Sequence, residues 1–252
     1  MTSHISSIRH GAVLEARLNR PEKKNALTGA MYDGISEILE QASSSNSIRA
    51  VLLAAAGSTF TAGNDLAEFM SMSGDLAVSP QSRFVRAITG ATKPIVAAVQ
   101  GRAVGIGTTM LLLHCDLVYA TPDVKLSTPF VEMGLVPEAG STLLFPARLG
   151  LQRASALLLL GETLDAEAAV AAGLVNAIVP ADQLHACALE KAQALASKAP
   201  EAFAVARRLM RGNKTQLDAH MAEEGEAFGR AVRGPEAREA FTAFFEKRQP
   251  VF

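Results

Sequence analysis

Cysteine is scarce in this chain: among 252 residues only Cys115 and Cys187 are present. Two thiols cannot build a disulfide framework, and the pair reads as reduced cysteines of an intracellular protein. An excess of charge is lacking too. Lys and Arg number 24 against 25 Asp and Glu, a formal net charge of −1, so the basic field of a duplex nucleic-acid binder is absent. Long apolar runs are missing as well. The most apolar window, residues 110–113, is broken at once by His114 and Asp116, far short of a membrane span. Residues 1–10 are polar and carry no signal-peptide core, and residues 249–252 are not a peroxisomal address. No repeat of fixed period and no low-complexity tract occurs. A soluble, cytoplasmic protein is the expectation, with one sizeable α/β domain or a domain plus a small appendage.

What is present alternates between two periods. Residues 12–18 (AVLEARL), 48–55 (IRAVLLAA), 94–99 (PIVAAV) and 117–120 (LVYA) are short apolar runs and predict buried strands. Residues 28–42 place Met31, Ile35, Ile38 and Leu39 at helical spacing, with Thr28 as N-cap. Strand–helix alternation implies crossovers and a largely parallel sheet. After about Gly140 the chain turns Ala- and Leu-rich and helical, with one short strand at 174–179. Residues 191–245 read as three helices broken near Pro200, Gly212 and Gly234-Pro235. We divide the chain into a core at 1–190 and a helical region at 191–252. Residues 71–80 (SMSGDLAVSP) are the best candidate for a mobile loop.

Three segments carry candidate chemistry. Thr59-Phe60-Thr61-Ala62-Gly63-Asn64-Asp65-Leu66 follows one strand, and Gly101-Arg102-Ala103-Val104-Gly105-Ile106-Gly107 follows another. Both lie where a parallel strand hands over to a helix, the usual ligand edge of an α/β fold. Two such loops converging would offer two backbone N–H donors to one oxygen, an oxyanion hole. Either loop alone is equally an ordinary tight turn. The second lacks the third glycine of a dinucleotide fingerprint, and no Gly-Lys-Ser/Thr follows it, so phosphate cradling of those kinds is disfavoured. The third segment, Phe130-Val131-Glu132-Met133-Gly134-Leu135-Val136-Pro137-Glu138, sets Glu138 among apolar neighbours, where desolvation would raise its pKa and suit it to proton transfer. Its plainer reading is an exposed acid in a first helical turn. His114-Cys115-Asp116 cannot form a triad, because adjacent side chains diverge. The histidines at 4, 10, 185 and 220 show no spacing suited to a metal.

In combination these segments resemble the enoyl-CoA hydratase/isomerase (crotonase) superfamily over nearly the whole chain. The resemblance rests on Leu18-Asn19-Arg20-Pro21 with Asn25-Ala26-Leu27, on Ala62-Gly63-Asn64-Asp65-Leu66, and on Lys93-Pro94-Ile95-Val96-Ala97-Ala98-Val99-Gln100-Gly101. Cys115-Asp116, Met133 to Glu138, Ala172-Gly173-Leu174-Val175 and Glu246-Lys247-Arg248-Gln249-Pro250 extend it. It implies a spiral of ββα units followed by a helical trimerisation region, giving a trimer or a dimer of trimers. It implies an acyl-coenzyme A substrate, with coenzyme A as part of that substrate, no separate cofactor, and no nucleic-acid or membrane partner. By motif position the oxyanion donors would be the amides of Asn64 and Ile106, and the backbone near Ala62 would meet the adenine. Lys23 or Lys24, with Lys247 of a neighbouring subunit, would meet phosphates. Asp65 and Leu66 belong to the same binding loop, and the Asp65 carboxylate is expected to support the turn or cap the next helix.

The departures from the family pattern bear on the reaction. Family hydratases use two glutamates, and here those positions are Thr109 and Phe130, neither able to relay a proton at neutral pH. Glu138 stands where the family's Δ3,Δ2-enoyl-CoA isomerases carry their single catalytic glutamate. Moving a double bond needs one carboxylate, whereas hydration needs two groups. The expected reaction is therefore enoyl-CoA isomerisation. A hydratase or another isomerase of fatty-acid or aromatic catabolism is the alternative, with Glu132 as its second acid. A non-catalytic RNA-binding or assembly role is disfavoured by the neutral charge balance.

Overall fold

The computed structural model describes residues 4–71 and 78–252, apart from the side chains of Ser71 and Leu111. Most of the loop expected at 71–80 lies outside the described residues. The chain opens with a hairpin, β1 (Ile5–His10) antiparallel to β2 (Val13–Leu18). From β2 onward the main sheet is parallel: β3 (Ala50–Ala55), β4 (Ile95–Val99), β6 (Leu117–Ala120) and β9 (Ala177–Ile178) follow in that order. A second, three-stranded sheet holds β5 (Arg102–Val104), β7 (Lys125–Ser127) and β8 (Leu164–Asp165). The chain leaves β4 for β5, β6 for β7, and β8 for β9, so each pass lays one strand in each sheet. That is the spiral the resemblance implied.

The strands read as unbroken apolar runs because both faces of the main sheet are covered. Alternate residues sort by face. Leu14, Val51, Leu53, Ile95, Ala97 and Val99 point into the main core with α1 (Gly29–Ser44). Val13, Ala50, Leu52, Val96 and Ala98 point to the other side, where α7 (Leu184–Ala196) packs. Thr28 caps α1 as its sequence predicts, accepting from the Met31 amide at 3.3 Å, a contact worth about 1 kcal/mol. At the β4–β5 corner only glycine fits. Gly101 has φ +63, and a Cβ there would collide with the Ser58 carbonyl oxygen.

Between the sheets and the C-terminal region run α2 (Leu66–Ser71), α3 (Pro80–Thr89), α4 (Ser141–Leu149), α5 (Leu151–Leu158) and α6 (Ala166–Ala171). The last three helices are α8 (Pro200–Met210), α9 (Lys214–Ala231) and α10 (Pro235–Glu246), broken where the glycines and prolines placed the breaks. The division drawn at residue 190 falls inside α7, which belongs to the sheet rather than to the tail. The tail itself is tied to the core of its own chain. Asp116 accepts from Ile95 N at 2.8 Å and from Arg207 Nε and Arg211 Nη2 at 2.8 and 3.0 Å. Phe228 and Phe241 close an aromatic cluster over Phe69, with ring centroids 6.1 and 6.0 Å away. Among the described residues no helix is long and apolar enough to cross a membrane.

Candidate active site

The two glycine-bearing loops meet. Thr61 and Ala103 form a bridge between them, and Val104 N donates to Thr61 O at 3.1 Å. Gly63 (φ +88) lies so close to the Val104 carbonyl that a Cβ would come within 2.9 Å of its oxygen. The first loop is fixed from beneath by Asn25, itself at φ +53. The Asn25 carboxamide donates to Ala56 O and Thr59 O at 2.8 and 2.7 Å and accepts from Arg20 N at 2.8 Å, while Thr61 Oγ1 donates to Asn25 O. Within this scaffold the amides of Asn64 and Ile106 donate to no acceptor among the described residues. An unpaired backbone N–H calls for a partner, and these two sit on touching loops.

Asn64 and Glu138 line one cavity of about 1060 Å³, walled by α3 and α9 and including Phe69, Met110 and Phe228. Ile106 has its side chain in the main core, at the start of a π-helical turn, Gly107–Leu112. Glu138 retains some exposure as a residue, but its Oε1 is buried and has no hydrogen-bond partner. Ser141 Oγ, on the same turn, is likewise buried and unpartnered. Burial first, and the charge of Glu224 second, push the Glu138 carboxyl up to about 8. Backbone strain coincides with this spot: Ala139, a non-glycine, sits at φ +65 beside Gly140 at φ +75.

Two residues not singled out in the sequence hold this arrangement. Tyr32, buried on α1, donates its hydroxyl to Asn64 Oδ1. Glu224, on α9 and 5% exposed, accepts from Gly140 N at 2.6 Å, from Thr142 N at 2.9 Å and from the Thr142 hydroxyl. His114 also serves the turn. Its Nε2 lies 2.8 Å from Ala139 O, and burial pushes its pKa down to about 4, so it is neutral. Its neighbours in sequence go elsewhere: burial raises the Cys115 thiol, and Asp116 holds the two arginines of α8 and its C-terminal end. Tyr32 and Glu224 look, in sequence, like one more core aromatic and one more acid of a charged helix.

The remaining expected residues distribute as follows. Asp65 caps α2 through the Glu68 amide and pairs with Arg20 at 2.7 Å. Burial opposes its charge, but Arg20 and that amide hold its carboxyl below the usual range. Its carboxylate thus supports the loop, and Leu66 begins α2. Lys23 and Lys24 are exposed on and just after a 3-10 turn, Pro21–Lys23, and Lys24 O accepts from Ala62 N at 2.9 Å, which puts these lysines beside the first loop. Lys247 is exposed at the end of α10 with φ +55. Glu132 is exposed on a second 3-10 turn, Val131–Met133, against Gly161, and does not join Glu138. Thr109 is fully buried, and Phe130 packs in the aromatic cluster.

The fold brings together three side chains that their spacing in sequence does not connect. Histidines 10 and 185, far apart in sequence, converge on Glu15, whose Oε2 lies 2.8 and 3.0 Å from their Nε2 atoms. Among the described residues this trio is the one set of His and acid side chains placed to share a metal ion. Arg17 Nε takes the other oxygen of Glu15 at 2.7 Å, so the carboxylate is already satisfied by three cationic or N–H partners.

Comparison with known proteins agrees with this geometry. Residues 9–252 match the family described as enoyl-CoA hydratase/isomerase. "Enoyl-CoA delta isomerase 2" of Rattus norvegicus is 35% identical over 221 residues, 85% of this chain, which spans 56% of that protein's length. "2,3-dehydroadipyl-CoA hydratase" of Escherichia coli K12 is 32% identical over 254 residues, covering 99% of this chain and 98% of the relative. The crystal structure of an enoyl-CoA hydratase/isomerase from Pseudoalteromonas atlantica T6c superposes with a TM-score of 0.94 at 44% identity, over 99% of this chain and all of that one. A match over nearly the whole chain, on a fold that sets Asn64 and Glu138 around one cavity, leads to one conclusion: the chain belongs to the enoyl-CoA hydratase/isomerase family.

Proposed function

We propose that the enzyme is an enoyl-CoA isomerase that moves a double bond of an acyl thioester from the 3,4 to the 2,3 position. The amides of Asn64 and Ile106 hold the thioester oxygen. The Glu138 carboxylate removes a proton from C2, and the electrons spread over a dienolate whose oxygen those amides stabilise. The Glu138 carboxylic acid then returns the proton at C4, and the carboxylate is regenerated.

The observation that carries this reading is a buried carboxyl oxygen without a hydrogen-bond partner, Glu138 Oε1, in a cavity shared with Asn64. Glu224, the other acid at the turn, has both oxygens occupied by donors and cannot relay protons. Thr109 and Phe130 stand at the positions where hydratases place their acids. A raised carboxyl also suits the task, since a base with a pKa near the working pH both accepts and returns a proton efficiently.

Coenzyme A would lie along the first loop, with Ala62 near the adenine and Lys23 or Lys24 near phosphate, all exposed or partly so. Phe244 and Phe245 are exposed in the tail, as are Leu209 and Met210. Exposed apolar side chains of this kind favour a homo-oligomer, trimer or dimer of trimers, with Lys247 reaching the coenzyme A end of a neighbour's substrate. Light scattering at working concentration tests this, and a monomer excludes it.

The decisive assay incubates the purified protein with 3-enoyl-CoA and, separately, with 2-enoyl-CoA. The isomerised product keeps the substrate's mass and co-migrates with a 2-enoyl standard, whereas hydration adds one water. Fast isomerisation with slow hydration is expected. Comparable rates would reject the single-carboxylate mechanism.

A further inference from the structure

Helix α4 begins without a side-chain cap of its own, because its N-cap is Gly140. An acid two residues upstream, as Glu138 is, would ordinarily share the positive end of such a helix. Here the Gly140 and Thr142 amides are taken by Glu224, which reaches across from α9. Glu138 receives none of that stabilisation, and its Oε1 is left bare. One carboxylate has the helix start; the other has only its charged neighbour.

We propose that Glu224 is a positioning residue for Glu138: it pins the Ala139–Gly140 turn and, by occupying the helix start with negative charge, keeps Glu138 strongly basic. The proposal rests on the isomerase reading only in naming Glu138 as the group that moves the proton. Two carboxylates sharing one site cannot both ionise easily, and here the donors at the helix start all face Glu224. The rise of Glu138 to about 8, with burial and Glu224 as its causes, agrees with the geometry.

Other groups around Glu138 do not supply the missing charge. From α1, the Tyr32 hydroxyl is committed to Asn64, and burial raises its pKa further. From behind the turn, His114 is neutral. From α9, His220 shares a hydrogen bond with the Thr142 hydroxyl at 2.7 Å and lies 3.6 Å from Glu224 Oε1, so it faces Glu224 rather than Glu138. Lys214 is paired with Asp218, and Glu226, Arg230 and Arg233 line the same cavity from α9 and its end, with Arg86 from α3.

The test reads Glu138 directly, by NMR titration of the ligand-free protein carrying 13C-labelled glutamate carboxyls, with E138Q identifying the signal. The wild-type midpoint should lie well above the ordinary carboxylate range. E224Q should lower it by about one pH unit or more, and E224D, which keeps the charge, should stay near wild type. The acid limb of kcat/KM for 3-enoyl-CoA should move with it. An unchanged midpoint in folded E224Q overturns the proposal. So does an ordinary midpoint in the wild type, which requires no variant to fold. A shifted midpoint in a protein that does not isomerise 3-enoyl-CoA would support the coupling and reject the isomerase reading.

Discussion

Glu15 and Glu138 hide carboxylate oxygens on opposite sides of the main sheet, and the chain treats them in opposite ways. Glu15 is fully buried but has His185, Arg17 and His10 around it, and although burial alone would raise its pKa, these partners hold it below the ordinary value. Glu138 has an oxygen just as hidden, no donor on it, and a pKa pushed up to about 8. Burial is common to both, so burial does not decide basicity; the donors do. One glutamate is a structural anion between β1, β2 and α7, and the other is a proton acceptor held ready by the lack of anything to hold it.

Two substitutions, giving three readouts, can break or sharpen that contrast. The largest effect should come from Glu138→Gln, which keeps thioester binding but loses isomerisation by about 100-fold or more, as removal of a general base usually does. Steady-state turnover with a binding measurement beside it checks this. Next, Glu15→Gln should destabilise the fold by about 2–4 kcal/mol at neutral pH, since its partners lose a buried charge. Because the folded pKa of Glu15 is depressed, its contribution is present above the unfolded carboxylate value and lost as pH falls through the folded one. Denaturant midpoints for the two proteins should therefore converge in acid.

The smallest effect has the opposite sign. Glu138 is raised, so it costs nothing below the unfolded value, and native stability falls as pH climbs from about 4.5 to about 8. Glu138→Gln should then be more stable than wild type at pH above 8, by about 1–3 kcal/mol, and equal to it in strong acid. Thermal melts at the two extremes decide it. A variant less stable than wild type at high pH would mean that Glu138 has a partner in the folded state after all.

Much of this was legible in the sequence, for physical reasons. Strands β2, β3, β4 and β6 are short apolar runs because both faces are covered, and Thr28 and Pro200 mark helix starts by chemistry that is local. Glu138 was marked by its place in the family motif, since its local context reads more plainly as an exposed acid in a first helical turn. Strand β1 was not, since Ile5 is its one fully buried residue and the rest looks like a polar terminus. The meeting of His10 and His185 on Glu15 was beyond reach because it is made by folding across 170 residues. Glu224 was hidden for another reason. It stands among Glu223 and Glu226 on a helix of many charges, and only the packing of α9 turns that one inward.

The cap that Glu224 places on α4 also sets an order on biosynthesis. A chain made from its N-terminus exposes residues 64, 106 and 138 to folding before residue 224 exists, and early segments tend to fold first. The spiral can thus be complete while the turn bearing the base is still uncapped. A nascent chain at that stage would have the loops of the site, but neither the α9 wall of its cavity nor the cap on its turn. Competence would arrive last, with the docking of α9, so a ribosome-bound chain halted short of that helix should be folded yet inert.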